Sequence, residues 1–119
     1  MSLPVLFYSP MPLLSGKGNA VSALRIAGLL DAAGVSARAV DAWDGEDAAA
    51  LVVLNSWRSA GLALDFRKRF PGRPLIAVLT GTDIFPQYPA HPDVDAALSA
   101  VDAIVAWHDA SVEQIPERF

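Results

Sequence analysis

The chain has 119 residues, 53% hydrophobic and 18% charged, which excludes a disordered tract and suits one globular domain with a core of its own. Its formal charge of -4 argues against general nucleic-acid binding. The lack of cysteine excludes a disulfide framework, a thiolate nucleophile and a thiolate-held metal. The longest apolar run, residues 48–54, is far below the roughly 20 needed to cross a bilayer, and the first residues lack a basic leader, so a cytoplasmic protein is expected.

In chain order, residues 3–8 are apolar and rich in β-formers, and they predict a first strand that ends at Ser9-Pro10. A loop over residues 11–19 carries Gly16 and Gly18, with Asn19 or Gly18 as N-cap of a helix from Ala20. Ala20, Leu24, Ala27 and Leu30 keep helical spacing, and Gly34 closes the helix. Residues 35–40 alternate like an edge strand, and residues 50–54 form a continuous apolar strand. The connection between them, 41–49, is short for a parallel crossover and holds at most a turn or two of helix.

A second helix is expected over residues 56–69, with Leu62, Ala63, Phe66 and Phe70 on one face and Arg67, Lys68 and Arg69 in its last turn, where cations suit the helix dipole. Residues 75–79 are a fourth buried strand, and the three prolines in 84–92 mark a loop. A short helix over 93–100, a fifth strand over 103–106 and a last turn, capped by Asp109 and stopped by Pro116, complete the chain. Trp43 and Trp57 are expected to pack in the core or at its rim.

This alternation predicts an α/β fold of three layers around a five-stranded parallel sheet. Right-handed crossovers, with the chain doubling back after strand two, give the order 2-1-3-4-5. The carboxyl ends of strands one, three and four then meet at the topological switch point, where open α/β sheets bind ligands.

The candidate ligand-binding residues lie on those ends: Gly16, Gly18 and Asn19 after strand one, Asn55 and Arg58 after strand three, and Thr80, Gly81, Thr82 and Asp83 after strand four. Glycines before a helix N-terminus let backbone amides approach an anion. Neither standard phosphate signature is present, however, since Val21 stands where G-x-G-x-x-G needs glycine. Arg58 is the best single anion clamp, because a guanidinium fork fits phosphate or carboxylate. The plainer alternatives are a surface arginine paired with Asp65 or Asp83, and Thr80 and Asp83 serving only turn amides. No catalytic residue is assigned; Asp83 and His108 are the weak candidates, and His91 is weaker still. Two histidines without clustered carboxylates make no metal site. The basic group Arg67, Lys68, Arg69 and Arg73 falls at the amino end of strand four, where a solvated helix end is expected rather than a membrane surface.

Residues 18–25 (Gly18-Asn19 through Leu24-Arg25), Trp57-Arg58-Ser59-Ala60, Phe66-Arg67, and residues 73–83 with Leu79-Thr80-Gly81-Thr82-Asp83 resemble the amino-terminal domain of GT-B glycosyltransferases. The chain is most similar to the selenosugar synthase group of selenoneine biosynthesis. The resemblance implies one Rossmann-like domain, over residues 1–119, that supplies acceptor contacts. A carboxyl-terminal domain outside these residues, or a partner chain, would hold the nucleotide sugar. UDP-sugar would be the donor substrate rather than a cofactor, and the acceptor would be a small molecule bearing phosphate, such as selenophosphate. By the same resemblance Gly18, Asn19, Arg58, Thr80, Gly81, Thr82 and Asp83 are cleft residues, and the chain by itself is expected to transfer no sugar. Two departures stand out: Asn55-Ser56 where many GT-B members place histidine, and Ile84-Phe85-Pro86-Gln87 without the tyrosine and arginine of the nearest relatives. The alternative is a non-catalytic binding or interaction module that kept the fold, exposes an apolar face and forms a homodimer.

Overall fold

A computed structural model describes residues 3–81, 91–106, 113 and 115–119. The strands are β1 (Val5–Tyr8), β2 (Ala37–Val40), β3 (Ala50–Leu54), β4 (Leu75–Val78) and β5 (Ala103–Val105). Among the described residues the helices with described bounds are α1 (Gly18–Ala32), α2 (Ala60–Arg69) and α3 (Pro92–Ala100), with a 3-10 turn at Leu13–Ser15. All strand pairs are parallel and the order is β2-β1-β3-β4-β5. The chain is thus a Rossmann-like α/β sheet, with the expected switch between β1 and β3.

Period-two alternation divides the sheet's side chains between two cores. Phe7, Val52, Leu54 and Val78 pack with Ala23 and Ala27 of α1 on one face. Leu6, Leu51, Val53, Leu75 and Ala77 pack with Ala63 and Phe66 of α2 and Val94 and Leu98 of α3 on the other. Small residues on α1 let it lie close to the sheet. The centre of the sheet is therefore covered on both faces, which is why β3 and β4 read as unbroken apolar runs.

The boundaries of several elements differ from those the sequence predicts. Helix α1 starts at Gly18, not Ala20: Lys17 is the N-cap, in extended conformation and without a side-chain cap bond. Its other end is as expected, for Gly34 at φ 92° donates to Asp31 O while Val35 N donates to Leu30 O, a Schellman closure. The connection 41–49 contains no helix. Instead Trp43 covers the sheet, its ring 5.7 Å from Phe66 and 6.4 Å from Phe70, with Nε1 donating to Glu46 O.

Helix α2 begins at Ala60, so residues 56–59 are a turn rather than the first helical turn. Helix α3 begins at Pro92, one residue earlier than expected, because His91 caps it through Nδ1, which accepts from Asp93 N. The strands are trimmed by a residue or two at the ends of β1, β2, β4 and β5. Of the proline loop expected over 84–92, residues 84–90 lie outside the described residues, as does the cap at Asp109, and Pro92 belongs to α3. Among the described residues no helix is long and apolar enough to cross a membrane.

Candidate functional site

Strand β3 delivers Asn55 to the switch point, and the geometry there departs from ordinary strand or helix. Asn55 has φ 68°, the only non-glycine residue with positive φ among those described, and is buried. Asparagine tolerates this left-handed conformation because its short amide can satisfy nearby backbone. Asn55 Oδ1 accepts from Trp57 N at 3.1 Å and Arg58 N at 3.0 Å, and Asn55 N donates to Val78 O of β4. Ser59 then reaches back, its Oγ donating to Leu54 O at 2.6 Å. These bonds hold residues 55–59 as a tight turn and delay α2, so Arg58 projects from a fixed bend rather than from a helix face.

Strand β1 delivers the second side. Ser9 is fully buried; its Oγ donates to Met11 O and accepts from Met11 N, an internal clasp that turns the chain outward. Leu13 N donates to the Asp41 carboxylate after β2. The 3-10 turn ends at Gly16 with φ 73°, Ser15 Oγ accepts from Lys17 N, and α1 starts at Gly18. The N-cap residue Lys17 makes no side-chain cap bond, so the positive end of a 15-residue helix faces the loop.

These two sides and the end of β4 border an open cleft of about 390 Å³ lined by Met11, Lys17, Gly18, Asn19, Asn55, Arg58 and Thr80. It brings together Gly18, Asn19, Asn55, Arg58 and Thr80 from three segments far apart in sequence. Gly16 lies upstream as the hinge of the 3-10 turn, and Gly81, at φ 127°, follows Thr80; neither lines the cavity. Thr82, Asp83 and His108 lie outside the described residues. The sequence pattern does not single out Met11 or Lys17. Lys17 has a readable signal, a cation between two glycines at a helix start; Met11 has none.

The lining holds two cations and no carboxylate among the described residues. Arg58 makes no ion pair among them, so the alternative pairing with Asp65 does not form. Its Cζ instead lies 4.6 Å from the Trp57 ring centroid, and Trp57 stacks on His91 with centroids 5.1 Å apart and planes 20° apart. Trp57 thus packs at the rim, as expected. At the end of β1, burial, with a smaller contribution from the Asp41 carboxylate, pushes the Tyr8 phenol above its ordinary value, which keeps it neutral.

A larger cavity, about 680 Å³, lies between Trp43, Asp44 and Gly45 and the α2 residues Asp65, Lys68 and Arg69. Volume alone favours it. Its charged groups are exposed and of both signs, however, and it lies away from the strand ends, so the smaller cleft is the better candidate. Of the amino-end cations, Arg67 and Arg73 are structural: Arg67 Nη2 donates to Asp102 Oδ2 at 2.6 Å, and Arg73 donates twice to the Asp47 carboxylate. Among the described residues no group of three or more His, Asp or Glu side chains could hold a metal ion. No model of a known protein family matches the chain, and no curated protein matches it.

Proposed function

We propose that this chain binds a phosphate-bearing small molecule in the cleft between the β1–α1 loop, the β3–α2 turn and the end of β4, as the acceptor-side half of a GT-B glycosyltransferase. The observation that carries the reading is the convergence of Lys17, Arg58 and the uncapped start of α1 on one cleft with no carboxylate among its described lining residues. Backbone amides at a helix start and a guanidinium fork suit an oxyanion better than a neutral or cationic ligand. The resemblance of the Gly18-Asn19 and Leu79-Thr80-Gly81-Thr82-Asp83 segments to selenosugar synthases adds the class of reaction. The acceptor is a phosphate-type anion such as selenophosphate, and the donor is a nucleotide sugar held by a second domain or a partner chain. A cytoplasmic location belongs to the same reading.

Titration of the chain with inorganic phosphate, UDP and UDP-sugars tests this, followed by amide shifts of Gly18, Asn19, Arg58 and Thr80. Phosphate is expected to shift these residues together and saturably. Shifts confined to the Trp43–Gly45 region, or none, overturn the site. Sugar transfer is expected only when a nucleotide-sugar-binding domain is supplied; transfer by the chain alone overturns its assignment as a half-enzyme.

One observation favours the second reading, an interaction module. Helix α1 exposes Val21 at 50%, Leu24 at 44% and Leu29 at 64%, apolar groups that a second copy would cover on association. Sedimentation over a wide concentration range separates the two readings: a dimer unaffected by phosphate supports the module, and a monomer that binds phosphate supports the half-enzyme.

A further inference from the structure

Arg58 is the side chain on which the proposed anion-binding cleft turns, and an aromatic ring holds it. Among the described residues its guanidinium has no carboxylate partner; it lies over the Trp57 indole, Cζ 4.6 Å from the ring centroid. The indole is stacked on the His91 imidazole, 5.1 Å away and 20° from parallel. His91 is itself fixed as the N-cap of α3: Nδ1 accepts from Asp93 N at 3.2 Å, and Pro92 follows as the first helical residue. Helix α3 is anchored in turn by buried Val94, Ala97 and Leu98. A continuous column runs from a core-packed helix to the guanidinium.

The chemistry of the column differs from that of a salt bridge. A carboxylate would also immobilise Arg58, but it would neutralise the charge and compete with an incoming anion for the same N–H donors. An aromatic face attracts the cation through its quadrupole while the donors, which lie at the edge of the guanidinium plane, stay available. Stacking also removes part of the ordering cost before the ligand arrives. We infer that Trp57 and His91 are positioning residues that present Arg58, still charged, to an oxyanion in the cleft. The inference rests on the proposed phosphate-binding reading and adds to it Trp57 and His91, which stand behind Arg58 and are not among the described lining residues.

The test uses the full chain and two readouts: the affinity for inorganic phosphate, and the Arg58 Nε–H resonance, which the Trp57 ring current displaces. Two substitutions at His91 separate stacking from capping. His91→Asn keeps an N-cap but removes the ring; His91→Phe keeps a ring but removes the cap. Trp57→Ala is expected to return the Arg58 resonance to that of an unstacked arginine and to weaken phosphate binding about fivefold. His91→Asn is expected to do the same in part, about twofold to threefold, with thermal stability unchanged. His91→Phe is expected to bind phosphate like the parent chain despite some loss of helix stability. An unchanged Arg58 resonance and affinity in Trp57→Ala and His91→Asn overturns the column while leaving the phosphate site intact. A larger loss in His91→Phe than in His91→Asn overturns it in favour of simple capping. Absence of phosphate binding by the parent chain overturns the underlying site as well.

Discussion

At the amino end of the strands Arg67 and Arg73 are neutralised; at the carboxyl end, among the described residues, Arg58 and Lys17 are not. Arg67 is enclosed below the sheet: Nε donates to Ala100 O, Nη1 to Pro71 O and Arg73 O, and Nη2 to Asp102. Asp102 also accepts from Leu75 N at the start of β4. One guanidinium and one carboxylate thereby tie α2, the turn into β4, the end of α3 and the approach to β5. Arg73 ties the start of β4 to Asp47 ahead of β3. At the other end, Arg58 and Lys17 line a cleft without a carboxylate among its described lining residues. Arg67 and Arg73, paired, thus close crossovers, and Arg58, without a carboxylate beside it among the described residues, keeps a positive field where a ligand can enter.

The comparison breaks most severely at Arg67. Arg67→Ala is expected to cost about 2–3 kcal/mol in urea unfolding, since several charge-assisted bonds disappear together, while phosphate affinity in the folded protein stays unchanged. A similar loss of affinity would mean that the two ends are coupled and not separate.

Asn55→Ala is next, at about 2 kcal/mol. It removes the acceptor for the amides of Trp57 and Arg58 and leaves a side chain ill-suited to the left-handed bend. Asn55→Gly restores the backbone freedom but not the acceptor, so its unfolding midpoint should fall between those of the Asn55→Ala variant and the parent chain.

Arg58→Ala should do the reverse of Arg67→Ala. Phosphate is expected to bind about tenfold more weakly, with stability changed by less than about 0.5 kcal/mol because the side chain is exposed and makes no ion pair among the described residues. Calorimetric titration and urea unfolding of the same sample measure both.

The smallest effect is the acid limb. The hydrogen bond from Arg67, then that from Leu75 N, hold the Asp102 carboxyl below its ordinary 3.8; the bond from Arg73 does the same for Asp47. A folded-state value lowered in this way contributes stability above the unfolded value, and the contribution is lost as pH falls from about 4 through the folded value. Asp102→Asn should therefore flatten the loss of stability between about pH 5 and about pH 3, as followed by urea unfolding at fixed ionic strength. A limb unchanged by this substitution would assign the acid sensitivity elsewhere.

Much of the architecture was legible because it is written in local pattern. The run 50–54 predicted β3 to the residue, and the alternation of strand and helix predicts a parallel sheet, whose order 2-1-3-4-5 follows when right-handed crossovers are combined with a doubling back after β2. Boundaries shift where one side chain overrides periodicity, at His91, which starts α3 early, and at Asn55, which delays α2, and also at α1, which starts at Gly18 with no side-chain cap bond. The loop 41–49 was open to a turn of helix, yet Trp43 closes that edge of the sheet without one. The site was partly legible, since strand ends can be read as ends. Lys17 was missed because no standard phosphate spacing surrounds it.

Composition and periodicity by themselves determined the class of fold and the two apolar faces, because burial of a residue in a strand or helix depends on neighbours two to four positions away; the strand order needed the handedness of the crossovers and a doubling back after β2 as well. Only the tertiary structure decided which cations are neutralised. That distinction depends on contacts across tens of residues, Arg67 with Asp102 and Arg73 with Asp47, and on a single left-handed residue, Asn55, that aims Arg58 across the switch point. Local propensity carries no information about which carboxylate a long side chain will reach, and so the charged cleft becomes visible only when the strands are side by side.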